Sequence, residues 1–329
     1  MLQAFVLPFD HRFDIQVNSI LFAQGNHLFN EPAYFKLHSH SERDCYFQLV
    51  LSNQNLVYIT LAFHETSPGI YVSSGKGTFG GLSLNRNIEF QTVEKFLQSA
   101  TDYLRRQGAK KIRIRCAPAS HNTALFTVAF NSLIRQGFRA EEPEVNFSML
   151  IDSRDFINRI DYGNVKRIRK AAREGFMCEK ADLSLLPAIH QLIAENRERQ
   201  GIVVSMTLDQ LRLMAEIFPE RLHLFAVYRD ADRKFMAAAA VCLLLATDVL
   251  YVFYWGESDG MRSYSPVAML ASSIYSFSLQ EGITLLDVGI STVNGNPNYG
   301  LVNFKRNLGF TESLKLDMVW TMEPDKEIE

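Results

Sequence analysis

Cysteine is scarce in this chain of 329 residues: Cys45, Cys116, Cys178 and Cys242 stand far apart and form no Cys-x-x-Cys pair. That spacing argues against both a disulfide scaffold and a structural zinc site. The first residues carry no signal-peptide pattern, so the thiols are expected to be reduced and the protein cytoplasmic. Long hydrophobic runs are also missing. The longest, Phe235 to Leu245, falls short of the ~20 residues a membrane helix needs, reads as a buried strand, and leaves no membrane partner expected. Charge of one sign is not in excess: the net charge is −2, and the pI of about 6.5 points to no polyanion-binding surface beyond a local one. No GxSxG elbow, Walker loop or dinucleotide fingerprint occurs. Gly75-Lys76-Gly77-Thr78 is too short for a phosphate loop. His38-Ser39-His40 lacks a carboxylate or cysteine nearby to complete a metal site, so no metal is expected.

What is present is ample core material: 47% of residues are hydrophobic, including 24 Phe and 12 Tyr, enough for two domains. An internal repeat divides them. The spacing predicts a helix over 92–107 stopped by Gly108, a strand over Lys110–Cys116, a helix over Thr123–Gln136 stopped by Gly137, and a strand over 145–151. The same order returns as a helix over 267–281 stopped by Gly282, a strand over 283–288, a short helix over 300–308, Gly309, and a strand over Leu314–Trp320. Gly81, Gly108 and Gly137 are separated by 27 and 29 residues; Gly256, Gly282 and Gly309 by 26 and 27. Three strands precede each set, at 46–51, 57–63 and 69–73, and at 223–228, 235–245 and 250–255. A strand over 176–181 and helices over 183–200 and 208–217 open the second half. This order predicts α/β domains with mixed sheets flanked by helices, divided as 1–155 and 156–329.

Three segments of the second half carry a resemblance. They are Asn164-Val165-Lys166-Arg167-Ile168-Arg169-Lys170-Ala171 running to Glu174-Gly175; Tyr254-Trp255-Gly256 followed by Arg262-Ser263-Tyr264-Ser265-Pro266; and Asp287-Val288-Gly289-Ile290 followed by Gly300-Leu301-Val302-Asn303-Phe304-Lys305-Arg306-Asn307-Leu308-Gly309-Phe310. They resemble the "RN-x-RKA…G", "YW-G…P" and "D-G…G-L-x-x-FK-x-x-x-G" segments of the Fem-type and BioF2-like branch of the GNAT superfamily. The resemblance implies two tandem GNAT-like (acyl-CoA N-acyltransferase) domains with the site in the second. It further implies transfer of an acyl or aminoacyl group from acyl-CoA or aminoacyl-tRNA to a small-molecule amine or peptide, with tRNA as a candidate partner. The alternative is a catalytically degenerate tandem that binds a ligand or partner.

By its place in the motif, Lys305 would stabilise the oxyanion formed as the amine attacks; the residue types alone equally allow Lys305 and Arg306 to be solvated beside a packing Phe304. Asp287 ends an apolar run and reads as a general base, as a cap for the Gly289 loop or as a partner of Lys305. Ser265-Pro266 reads as a helix start, the serine capping free amides, with Arg262, Ser263 and Tyr264 beside an anion-binding terminus. The loop 257–265 lacks the glycine pair of the usual coenzyme A loop, which weighs against ordinary acetyl-CoA binding. Lys166, Arg169, Lys170 and Arg173 share one helix face that suits phosphates, while Arg167 is expected to turn inward. Tyr254 and Trp255 are expected to wall the acceptor pocket. Asn298 and Tyr299, in the glycine- and asparagine-rich loop before Phe304, complete the candidate substrate residues together with Phe304 and Arg306.

Overall fold

A computed structural model describes residues 4–19, 21, 27–37, 41–73 and 77–322, without the side chains of 35 and 36; His38, His40, Gly75 and Lys76 lie outside the described residues. The chain forms two compact units, Met1–Glu144 with Leu314–Glu329, and Val145–Ser313. Among the described residues no helix is long and apolar enough to cross a membrane.

The first unit runs β1 (Phe5–Pro8), β2 (Phe13–Val17), β3 (Cys45–Leu51), β4 (Leu56–Ser67), β5 (Ile70–Ser73), β6 (Ser83–Leu84), α1 (Phe90–Arg106), β7 (Lys111–Arg115) and α2 (Thr123–Arg135), leading into β8 (Arg139–Leu150). β1 to β5 form an antiparallel meander; β5 then pairs in parallel with β7. α1 presents Val93, Phe96, Leu97, Ala100 and Leu104 to the sheet, the i, i+3, i+4, i+7 spacing that marks a half-buried helix.

The second unit continues β8 from Val145 and runs α3 (Tyr162–Arg173), β9 (Met177–Ala181), α4 (Leu186–Glu198), α5 (Leu208–Ile217), β10 (Leu222–Tyr228), β11 (Met236–Ala246), β12 (Val249–Glu257), α6 (Pro266–Gln280), β13 (Leu285–Ile290), the ribbon β14 (Thr292–Val293) and β15 (Asn296–Pro297), α7 (Tyr299–Asn307) and the start of β16 (Thr311–Thr321). β9 to β12 are antiparallel and β12 pairs in parallel with β13. Ala237 to Ala240 of β11 are fully buried, small enough for α4 and α6 both to pack on that strand. Leu270, Ile274 and Tyr275 of α6 seal one core; each such side chain contributes roughly 1.5–3 kcal/mol by leaving water.

The units do not follow the 155/156 division expected from the repeat. After β5, the other edge of β7 is free to pair, and Asp317–Thr321 at the end of the chain takes it, antiparallel. The matching edge of β13 is taken by Asn146–Leu150, the end of the first half. An unpaired edge exposes backbone donors and acceptors, so each last strand is assigned to the unit whose edge it fills.

Candidate active site

β12 and β13 pair only from Val249–Tyr251 to Leu285–Asp287. Beyond that point β12 stays with β11 and carries a bulge around Phe253, while β13 stays with β8 on its other edge, through an irregularity between Asp287 and Ile290. The edge of β12 from Val252 onward therefore faces a gap and keeps backbone groups that β13 does not use. The corresponding gap in the first unit is closed by its own chain: after Val72 and Arg113 separate, Gly80 bridges back to Cys116 and its N–H donates to the Arg115 carbonyl at 2.7 Å.

Lys305 stands at the gap of the second unit. It is 2% exposed, and its ammonium donates to the carbonyls of Gly289 (2.9 Å) and Ile290 (2.8 Å), 5.4 Å from the Phe147 ring centre. Burial lowers its pKa to about 7; the Asp287 carboxylate works the other way and the Arg197 charge adds to the lowering. The solvated reading thus fails for Lys305 and holds for Arg306, which is exposed and pairs with Glu312. Asp287 is fully buried. Its Oδ1 accepts from the Gly289 N–H at 2.6 Å and its Oδ2 from the Asn146 amide at 2.9 Å, so it holds the Gly289 turn in place. Gly289 has φ +74°, a left-handed conformation that glycine adopts without a Cβ penalty.

Trp255 and Phe304 meet edge to face, ring centres 6.1 Å apart, and bring α7 against the diverging end of β12. Tyr254 is committed elsewhere: its hydroxyl is hydrogen-bonded to the Ser205 hydroxyl and accepts from the Met206 N–H, pinning the α4–α5 loop to the strand. Asn298 caps α7 by accepting from the Leu301 N–H, and Tyr299 is 73% exposed.

Where α6 begins, the structure departs from the expected cap. Pro266 does occupy the first turn, but Ser265 sits at φ 50°, ψ 52° and its side chain makes no capping bond. The 3-10 turn Arg262–Tyr264 delivers the chain there, at a conformational cost of order 1–3 kcal/mol for a non-glycine residue. Arg262 and Ser263 are exposed; Tyr264 stacks on Phe176, and the Lys170 ammonium lies 5.1 Å from its ring centre. Lys166, Arg169, Lys170 and Arg173 are all exposed on α3, whose Val165 and Ala171 turn to the core. Arg167 does not turn inward: it is exposed and donates to Asn164, because α3 buries only a narrow stripe.

Two residues escaped sequence reading. Glu257 ends β12 half-buried; burial raises its carboxyl above the usual range against Arg262 and Arg199, and it makes no side-chain hydrogen bond or ion pair among the described residues. Arg197 projects from the last turn of α4. Glu257 opens the 257–265 loop but matches nothing in the motif there, and Arg197 lies in no motif; the signal is position, at a strand end and a helix end that meet.

No family model matches the chain, and no curated protein sequence matches it. Solved structures do. FemX superposes with a TM-score of 0.68 at 14% identity, over 91% of this chain and 93% of its own. L-PGS from Bacillus licheniformis gives 0.55 at 10%, over 91% and 93%. A tandem GNAT protein from the clavulanic acid biosynthesis pathway gives 0.50 at 10%, over 89% and 87%. The chain shares the fold of these structures, a tandem of GNAT-type α/β units.

Proposed function

We propose that the second unit transfers an activated acyl or aminoacyl group to an amine, the acceptor being a small molecule or a peptide. The observation that carries this reading is the gap between β12 and β13 with the Lys305 ammonium buried beside it. A donor carbonyl laid in that gap meets the free backbone edge of β12. Attack by the amine builds negative charge on the carbonyl oxygen. Lys305 has three N–H groups, two of them held by carbonyls, and directs the third at that oxygen from a site where water does not screen it. Asp287 positions this device through Gly289. Glu257, unpaired and with its pKa raised, takes the proton that the amine sheds. The tetrahedral intermediate then collapses to the amide as the bond to the donor breaks, and the proton goes to the departing coenzyme A thiol or tRNA ribose hydroxyl. Donor phosphates, from a coenzyme A thioester or an aminoacyl-tRNA, lie at the start of α6 with Arg262 and Lys170.

The experiment is a screen of thermal stability with coenzyme A and acyl-CoAs, beside retention of aminoacyl-tRNA, followed by single-turnover transfer with whichever donor binds. Lys305→Ala is expected to keep donor binding and slow transfer about 10²–10³-fold. Unchanged transfer in that variant overturns the reading.

A further inference from the structure

The last turn of α4 is fixed to the end of β12, just past the divergence. Asn196 donates its amide to the Glu257 carbonyl at 3.0 Å, and Arg199 donates to the same oxygen at 2.7 Å. Gly256 admits this approach: a Cβ there would stand 3.0 Å from the Asn196 Cβ. Between these two anchors sits Arg197, half-buried. Among the described residues it makes no hydrogen bond, ion pair or ring contact, whereas Arg154, Arg159, Arg233 and Arg306 each have a carboxylate.

α4 and α7 reach the gap from opposite faces of the sheet. α6 and α7 share one core with Leu250 and Val252 of β12, and no residue of α4 belongs to that core. The charge of Arg197 is near enough to help lower the pKa of Lys305. The carboxylate that Lys305 also feels, Asp287, has both oxygens engaged. Arg197 is thus a half-buried guanidinium with no carboxylate of its own among the described residues, an arrangement that costs free energy until an anion fills it.

We infer that the acceptor amine carries an oxyanion group close to its nitrogen, and that Arg197 is the residue that holds it. This rests on the transfer reading above and adds the substrate class. The acceptor enters from the α4 face, since the α6 face is given to the donor. A guanidinium fork matches the paired oxygens of a carboxylate or a phosphate better than an ammonium does, so amino acids, peptides with a free terminus and phosphorylated amines all qualify.

The test uses the full chain and reads binding alone, by calorimetry, with three probes: glycylglycine, glycylglycinamide and inorganic phosphate. Wild-type protein is expected to bind glycylglycine or phosphate, which tells carboxylate from phosphate, and to bind glycylglycinamide at least tenfold more weakly. Arg197→Gln is expected to lose at least tenfold in affinity for the probe that binds, and Arg197→Lys to recover part of it. With no probe present, Arg197→Gln should melt at or above the wild-type temperature, because no partner is lost. Equal binding of the amide, undiminished binding by Arg197→Gln, or no binding of either anion overturns the inference. Because no transfer is measured, these results are separable from failure of the Lys305→Ala test.

Discussion

The Lys305 ammonium and the Gly289 carbonyl are 2.9 Å apart, and the N–H of that same glycine is held by Asp287 at 2.6 Å. The end of β13 and the helix α7 thus form one device: the carboxylate sets the turn, the turn aims its carbonyl, and the carbonyl fixes the lysine. The Asp287 charge also favours the protonated lysine. Asp287→Asn keeps a side chain that can accept from Gly289 but removes that charge. Lys305 is then expected to titrate below its value of about 7, followed by nuclear magnetic resonance of the lysine side chain, and transfer at neutral pH to fall. A Lys305 titration that stays in place or rises would refute the coupling.

Lys305 also sets a pH dependence of stability. Its pKa falls from 10.5 to about 7 on folding, so between those values the unfolded chain holds more protons than the folded one. Stability from this residue is fully present above 10.5 and is lost as pH falls through about 7. Wild-type protein is expected to gain about 2–3 kcal/mol relative to Lys305→Met between pH 7 and pH 9, at about 1.4 kcal/mol per unit. Denaturant titrations at the two pH values measure it, and parallel behaviour of the two proteins would place the lysine in water.

His223 supplies the acid limb. Burial, aided by the Lys180 charge, lowers its pKa from 6.5 to about 4, and its ring packs 5.0 Å from the Phe277 ring. The folded state resists the proton that the unfolded state accepts, so its contribution is present above 6.5 and lost as pH falls through about 4. His223→Gln should flatten the fall in stability over that window by up to about one proton's slope. Thermal melts at pH 7, 5.5 and 4.5 check it; an unchanged slope would show that His223 titrates normally.

The repeat was legible because each helix-stop glycine ends a regular apolar period, and the strands and helices of both halves lie close to where periodicity puts them. Cys45–Leu51, Thr123–Arg135 and Leu208–Ile217 differ from expectation by a residue or not at all. Ownership of the last strands was not legible, since β16 alternates the same way whichever edge it fills. At the site, Lys305 was singled out by its motif, but its burial depends on carbonyls at Gly289 and Ile290 that no side-chain pattern reveals. Ser265 read as a cap by residue type, whereas its positive φ is imposed by the turn before it. Arg197 and Glu257 acquire meaning only from where α4 meets β12.

Gly309, in the segment that carried the family resemblance, is required by packing. It has φ +80°, and a Cβ there would fall 2.6 Å from the Arg159 carbonyl oxygen and 3.2 Å from the Met149 side chain. Backbone cannot withdraw as a side-chain tip can. Gly309→Ala is expected to cost more than about 2 kcal/mol, combining left-handed strain with the clash. Chemical denaturation measures it; a loss under about 0.5 kcal/mol would mean that the 159 backbone yields.

The closing of the first unit's gap leads to a stoichiometry. In the second unit the strands part after Tyr251 and Asp287 and nothing of the chain re-pairs the edge of β12 with β13 among the described residues. In the first, Gly80 returns to β7 and spends its N–H on the Arg115 carbonyl. A donor entering there would have to displace that pairing, whereas in the second unit it meets backbone groups already free. One donor per chain is therefore expected, whichever donor the screen identifies, with the single site weakened by Arg262→Ala. Calorimetry reads both. Two sites per chain, or one site indifferent to Arg262, would mean that the first unit opens and that the repeat binds through both halves.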